Sequence, residues 1–250
     1  MNNIYVYDGT FINLLNLIKY LSTFNIKNIN IKKENHNFSL FDKEINLNIP
    51  SKENIVEEII TDIGTNNFNA LYYTYLSNEN NKENIMHFFY MNAKYYKNTI
   101  LGRRNLNCVR ETLKIIKYVK QENHKYKGFT RFKELNGGIL YAEIEPNNNI
   151  IFLLSKHFKN RLKNEYWIIK DVRRNLFSIY DKNSFKILND IYLKDINFSN
   201  DEKDTQNMWK TFYNTIGIKE RKNDRCRMNF MPKRYWKYLI EMSDNCEKSN

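Results

Sequence analysis

Apolar and polar positions alternate at the start of the chain and then change period. In "NIYVYDGTFINLLNLIKYLSTF", Ile4 and Val6 alternate with the polar-tipped Tyr5 and Tyr7, which predicts a short strand. Asp8-Gly9 makes the turn and Thr10 is placed to cap a helix, along which Phe11, Leu14, Leu15, Ile18 and Leu21 recur at helical spacing. "NFSLFDKEINLNI" alternates again and predicts a strand or hairpin. Pro50-Ser51 then opens a helix through Ile55, Ile59, Ile60 and Ile63. "NALYYTYL", "ENIMHFFYMNAKYY" and "LNCVRETLKIIKYVKQENHKY" read as three further helices. In the last, Leu106, Val109, Leu113, Ile116 and Val119 or Lys120 form one stripe, so Cys108 reads as a core-side thiol and not a nucleophile.

After Tyr126 the texture becomes β. "FTRFKEL", the turn Asn136-Gly137-Gly138 and "ILYAEIEP" give the strongest hairpin signal in the chain. "FLLSKHFKNRL" predicts a short helix, "EYWIIKDV", "LFSIYD" and "SFKILND" three more strands, and "DTQNMWKTFYNTIGI" and "PKRYWKYLIEM" closing helices. This order predicts an α+β fold, an antiparallel sheet of about five strands with helices packed on it, preceded by a strand-plus-helix N-terminal region. A strand-and-helix region over residues 1–100 and a sheet region with basic C-terminal helices over 101–250 fit the pattern, as does a single domain. "SNENNKEN" is a loop, and no internal repeat or long linker interrupts the chain.

Composition bounds the function. With 250 residues, 42% apolar and 15% aromatic, the chain can bury a core. Its net charge of +12 attracts polyanions and favours nucleic acid or an anionic membrane as partner. The crowding of Asn, Lys, Ile and Tyr matches AT-rich coding sequence, so arginine says more than lysine. Cys108, Cys226 and Cys246 are odd in number and widely spaced, as expected of reduced thiols in a cytoplasmic protein. They form no CxxC, and His36, His87, His124 and His157 have no ligand-like spacing, so neither metal nor cofactor is expected. No apolar run reaches the roughly 20 residues of a membrane span, and no signal peptide precedes the first strand, so no membrane partner is expected.

Several clusters can carry chemistry. "HKYKGFTRF" places Lys125, Lys127 and Arg131 around a Gly128 turn beside Phe129, charges for phosphates next to an apolar ring for bases; the competing reading puts Phe129 in a sheet core. In "KDVRRNLFSIYD" the pair Arg173 and Arg174 can hold phosphate, or Asp171 can pair with one of them. "KERKNDRCRMNFMPKRYWKYL" is the densest basic segment, with Arg221, Lys222, Arg225, Lys233 and Arg234 for phosphates and Tyr235 and Trp236 as stacking platforms or anchors. His157, flanked by basic residues, is a general acid–base candidate or a structural histidine. No phosphate-cradling GxxxxGK[ST], no GxGxxG, no GxSxG and no CxxxCxxC occurs. That leaves Asp8, at the end of the first strand, as the carboxylate best placed for chemistry, against its reading as an Asx-type cap.

"YVYDGTF", "HKYKGFTRFKELNGGILYAEIEPNNNI", "KHFKNRLKNEYWIIKDVRRNLFSIY" and "MWKTFYNTIGIKERKNDRCRMNFMPKRYWKYLIE" together resemble a bacterial family of proteins assigned to DNA metabolism or DNA repair, a domain of unknown function. Its members share a strand–Asp-Gly-Ser/Thr-Phe opening, a KGFxRF block, an IEPxxN turn, an HFxxR segment and a terminal MPKRYWK. Some are fused to a uracil-DNA glycosylase-like domain and others are encoded beside a radical SAM protein assigned to DNA repair. The resemblance covers residues 4 to 242. Relatives often carry an acidic or small residue after the opening Phe, where this chain has Ile12-Asn13, and read HFxxRF where it ends in Leu162.

The resemblance implies a DNA-binding accessory to a repair enzyme of radical SAM or glycosylase type, engaging damaged or single-stranded DNA. Two alternatives stand beside it. One is a glycosylase-like or nuclease-like enzyme using Asp8 and His157 as acid and base. The other is a protein-interaction subunit without DNA contact.

Overall fold

Strand β1 (Asn2–Tyr7) lies in the middle of a three-stranded sheet, paired in parallel with β2 (Asn30–Lys33) and β3 (Asp42–Asn46). In this computed structural model, residues 2–24, 29–34, 42–47, 49–50, 52–191, 197–216, 218 and 223–242 are described. The chain divides into two compact units, residues 1–120 and 121–250.

In the first unit, Ile4, Tyr5, Val6 and Tyr7 are all buried. The alternation in "IYVY" therefore does not separate core from solvent, because a central parallel strand is covered on both faces. Tyr7 donates to Glu83 Oε1 at 2.9 Å, which pairs the phenol in the interior. "NFSLFDKEINLNI" supplies the parallel strand β3; its residues 37–41 and 48 lie outside the described residues. The short β2 has too few residues to show a period.

Helix α1 (Phe11–Leu21) starts where the sequence places it, with Thr10 Oγ1 accepting from Asn13 N at 3.3 Å. Helices α2 (Ile55–Ile63), α3 (Thr65–Leu76) and α4 (Lys82–Tyr96), a 3₁₀ turn over Lys97–Gly102, and α5 (Asn107–Phe129) follow. One apolar cluster joins Leu14, Ile18, Ile31, Ile59, Leu71 and Phe89. The expected stripe meets that cluster through Leu106, just ahead of α5, and through Val109, Leu113 and Ile116 within it; Val119 is buried and Lys120 exposed, so valine continues the buried stripe. Cys108 packs there too, and burial pushes its thiol pKa up, which disfavours a thiolate.

The second unit is built on a five-stranded sheet in the order β4 (Lys133–Leu135), β5 (Ile139–Ile144), β6 (Trp167–Asp171), β7 (Leu176–Tyr180), β8 (Phe185–Asn189). The mixed α+β architecture and the strand count agree with the sequence pattern. One pairing departs from it: β5 and β6 are parallel, whereas the other three pairs are antiparallel. The reason is α6 (Ile151–Arg161), a crossover that returns the chain so that β6 runs the same way as β5. The Gly137-Gly138 turn closes β4 on β5 with φ of 98° and 77°, values that favour glycine.

Ser155 of α6 donates to Ser178 of β7 at 2.7 Å with both residues sealed from solvent. Trp167 stacks on Tyr180 with ring centres 5.0 Å apart. Helix α7 (Asn200–Ile216) is tied to the edge strand by Glu202, which accepts from Glu134 N at 2.9 Å. The chain then forms a short helix α8 (Asp224–Phe230) and two 3₁₀ turns, Lys233–Tyr238 and Ile240–Met242. The terminal α-helix expected over "PKRYWKYLIEM" is thus replaced by 3₁₀ turns, because Pro232 and Leu239 both take extended ψ and interrupt the i→i−4 ladder.

Candidate nucleic-acid interface

Glu122, on the part of α5 that belongs to the second unit, is a buried carboxylate with a full set of partners. Its Oε1 accepts from Asn147 N at 3.0 Å, and its Oε2 from Asn148 N at 2.8 Å and Asn148 Nδ2 at 2.6 Å. The guanidinium of Arg234 stands 3.4 Å away. One helical side chain thereby fixes the turn after β5, "EPNN", and binds the terminal basic block to it.

The same turn collects further cations. Arg174 donates to Pro146 O at 3.0 Å, to Asn147 O, and to Asp171 Oδ2 at 3.0 Å. Arg173 donates to Asn147 Oδ1 at 3.0 Å. Lys237 lies 3.7 Å from Glu145, which also accepts from Tyr238 at 2.8 Å. Four cations therefore stand around one turn against the carboxylates Glu122, Glu145 and Asp171. The inner and outer cations differ in role. Arg174 is mostly covered and spends its fork on backbone carbonyls and Asp171, whereas Arg173, Arg234 and Lys237 are exposed with donors left for an anion. Asp171 is sealed; burial pushes its pKa up, and Arg174 pulls against that shift.

The aromatic rings proposed for base stacking are turned inward. Tyr235 is 2% exposed and packs against Tyr126 and Phe129 with centroids 5.1 Å from each, and its hydroxyl accepts from Arg234 at 2.7 Å. Trp236 is 7% exposed, donates from Nε1 to Met231 O at 2.9 Å and lies under Arg227. Phe129 is half-buried against Tyr235. A base cannot reach a face that protein atoms already cover, so Tyr235 and Trp236 act as anchors for the segment that carries Lys233, Arg234 and Lys237.

The remaining candidates separate. The Gly128 turn expected in "HKYKGFTRF" is absent, because α5 continues through Lys127, Gly128 and Phe129. Arg131 is held at 2.7 Å by Glu241 and donates to Gly128 O at 2.8 Å. Lys127 stands near His157 on α6. Burial, then the charges of Lys127 and Arg161, lower the His157 pKa, which keeps the imidazole neutral, and its Nε2 is buried without a hydrogen bond. Arg225 and Lys233 are exposed. Arg221 and Lys222 lie outside the described residues.

Asp8 belongs to the first unit and His157 to the second, so neither unit assembles them as an acid–base pair. Asp8 is exposed and committed locally: Oδ1 accepts from Thr10 N and Thr10 Oγ1, both at 2.8 Å, and Oδ2 from Asn13 Nδ2 at 2.7 Å. Slight burial pushes its pKa up, but these donors and Lys33 outweigh it and hold the carboxyl below the usual Asp value. Gly9 beside it has φ of 90°, and a Cβ there would come within 2.2 Å of the Lys33 side chain.

Sequence reasoning missed Glu122, Glu145 and Tyr238, and a pocket of about 280 Å³ lined by Arg131, Lys133, Tyr141, Glu143, Phe198 and Tyr238. No local signal marks them, because their partners come from distant parts of the chain. Among the described residues, no three His, Cys, Asp or Glu side chains gather as a metal site, and no helix is long and apolar enough to cross a membrane.

No curated protein matches the chain. The blocks that converge on the "EPNN" turn nevertheless fall together in one family match, which runs over residues 79–241 and covers well over half of the sequence. The chain belongs to the family described as DUF4130, a domain of unknown function.

Proposed function

We propose that this protein binds DNA through the second unit, as an accessory in DNA repair or DNA metabolism that leaves the chemistry to a partner enzyme of radical SAM or glycosylase type. The observation that carries the reading is the presentation of Arg173, Arg234 and Lys237 on a turn held rigid by Glu122 and Arg174. Cations gathered around a turn whose backbone is already fixed by hydrogen bonds lose less freedom when they meet phosphates than cations on mobile chains. The net charge of +12 supplies long-range attraction for the same partner. Damaged or single-stranded DNA is the form in which such an accessory engages a repair enzyme's substrate.

Fluorescence anisotropy with short labelled duplex and single-stranded DNA tests the proposal. Affinity falls steeply with salt, and the double variant Arg173→Ala/Lys237→Ala reduces the log–log salt slope on duplex by about 2. Binding that is absent at low salt, or that ignores salt, overturns the reading. Base release or strand cleavage by the purified protein on lesion-containing oligonucleotides would replace it with the enzymatic alternative.

A further inference from the structure

The part of α5 that belongs to the first unit carries a second cationic surface. Arg104, Arg110, Leu113, Lys114, Lys117 and Tyr118 line a groove of about 600 Å³. Helical spacing puts Arg110, Lys114, Lys117 and Tyr118 on one side, with about 10 Å of helix between the first and last of these cations. Arg104 and the three helical cations are exposed, and among the described residues none of the four forms an ion pair. Arg110 spends one N–H on Asn107 Oδ1 at 3.0 Å. This is unlike the "EPNN" turn, where carboxylates offset most of the charge. The groove's only acidic neighbour in sequence, Glu111, is half-buried and does not line it.

Tyr118 adds a second kind of contact. It is 56% exposed and sits among the cations. Uncompensated charge beside an open aromatic ring suits a strand whose bases are free to stack while its phosphates meet lysine and arginine. A bilayer surface fits poorly, because membrane docking needs a broad apolar face and the lining offers one leucine and one tyrosine.

We propose that this groove binds single-stranded nucleic acid, with Arg104, Arg110, Lys114 and Lys117 on the backbone and Tyr118 stacked on a base. The inference rests on the nucleic-acid reading above and adds to it a second contact surface, one that takes the single-stranded form. A fluorescein-labelled oligothymidine and the triple variant Arg110→Gln/Lys114→Gln/Lys117→Gln test it, with thermal unfolding to check the fold. The expected result is an affinity loss of about tenfold or more and a salt slope smaller by about 2. Tyr118→Ala weakens binding by about tenfold with the slope unchanged. Wild-type protein that binds while both variants match it in affinity and slope overturns the groove and leaves the nucleic-acid reading standing. Wild-type protein that shows no salt-dependent binding overturns both. A triple variant that keeps oligothymidine affinity but loses binding to phosphatidylserine vesicles assigns the groove to membranes and overturns the proposal.

Discussion

Glu122 accepts hydrogen bonds from the backbone N–H groups of both Asn147 and Asn148, and Asn148 adds its side-chain amide. Glu122→Ala strands three donors at a partly buried site. The expected cost is about 2 kcal/mol in urea unfolding. Glu122→Gln keeps one acceptor oxygen and costs less. A Glu122→Ala protein as stable as wild type would remove the carboxylate from its place as the staple of the turn.

Adjacent arginines on that turn should respond differently. Arg174→Ala leaves Asp171 buried without its 3.0 Å partner and destabilises the second unit by about 3–5 kcal/mol. Arg173→Ala stays within about 0.5 kcal/mol in stability. Its effect appears instead in DNA titrations, as a salt slope reduced by about 1. Chemical denaturation and anisotropy on the two single variants check the contrast, which reverses if Arg173 is the structural one.

His87 gives the first unit an acid sensitivity. It is buried, and burial lowers its pKa to about 4 from the ordinary 6.5 of histidine. Between those values the unfolded chain holds the proton and the folded one does not, so stability is full above pH 6.5 and is lost as pH falls towards about 4. The contribution is on the order of 3 kcal/mol. His87→Leu should flatten the stability profile over that window, as read by unfolding at a series of pH values. A wild-type profile already flat there would contradict a buried neutral imidazole.

Asp8 is a cap before it is a catalyst. Asp8→Ala removes the acceptor for Thr10 N, Thr10 Oγ1 and Asn13 Nδ2 and should cost about 1 kcal/mol. Asp8→Asn, which keeps one acceptor oxygen, should recover part of it, and neither change should alter DNA binding. If alkali-cleavage assays found lesion processing by wild-type protein that a stably folded Asp8→Asn lacked, Asp8 would move from the turn to the chemistry.

Local signals carried the fold further than the site. Helix α1, its Thr10 cap, the α5 stripe and the Gly137-Gly138 hairpin depend on neighbours a few residues apart, and each stands where the periodicity places it. The parallel pairing of β5 with β6 depends on the path of α6 across the sheet, which no alternation within either strand encodes. Gly128 looked like a turn because glycine is a frequent breaker, yet nothing lies within 4 Å of a Cβ built there and α5 runs through it. The candidate site was legible only as charge. Arg173, Arg174 and Arg234 stood out by type, but what sets their roles is Glu122, Asp171 and the "EPNN" carbonyls, which come together only on folding. Tyr235 and Trp236 show the same limit: their pattern fits a stacking platform and an anchor equally, and packing decides for the anchor.

The grip of Glu122 on Arg234 also bears on the order in which the chain matures at the ribosome. The β4–β5 hairpin can close as soon as it emerges, because its contacts are local. Among the described residues, Tyr235, Trp236, Leu239 and Met242 are the last buried ones of the second unit to appear. Until they arrive, Tyr126 and Phe129 lack the ring they pack against, and Glu122 lacks its cation. The nascent second unit thus waits with an open apolar seam, and the segment that carries Lys233, Arg234 and Lys237 is also the one that closes it.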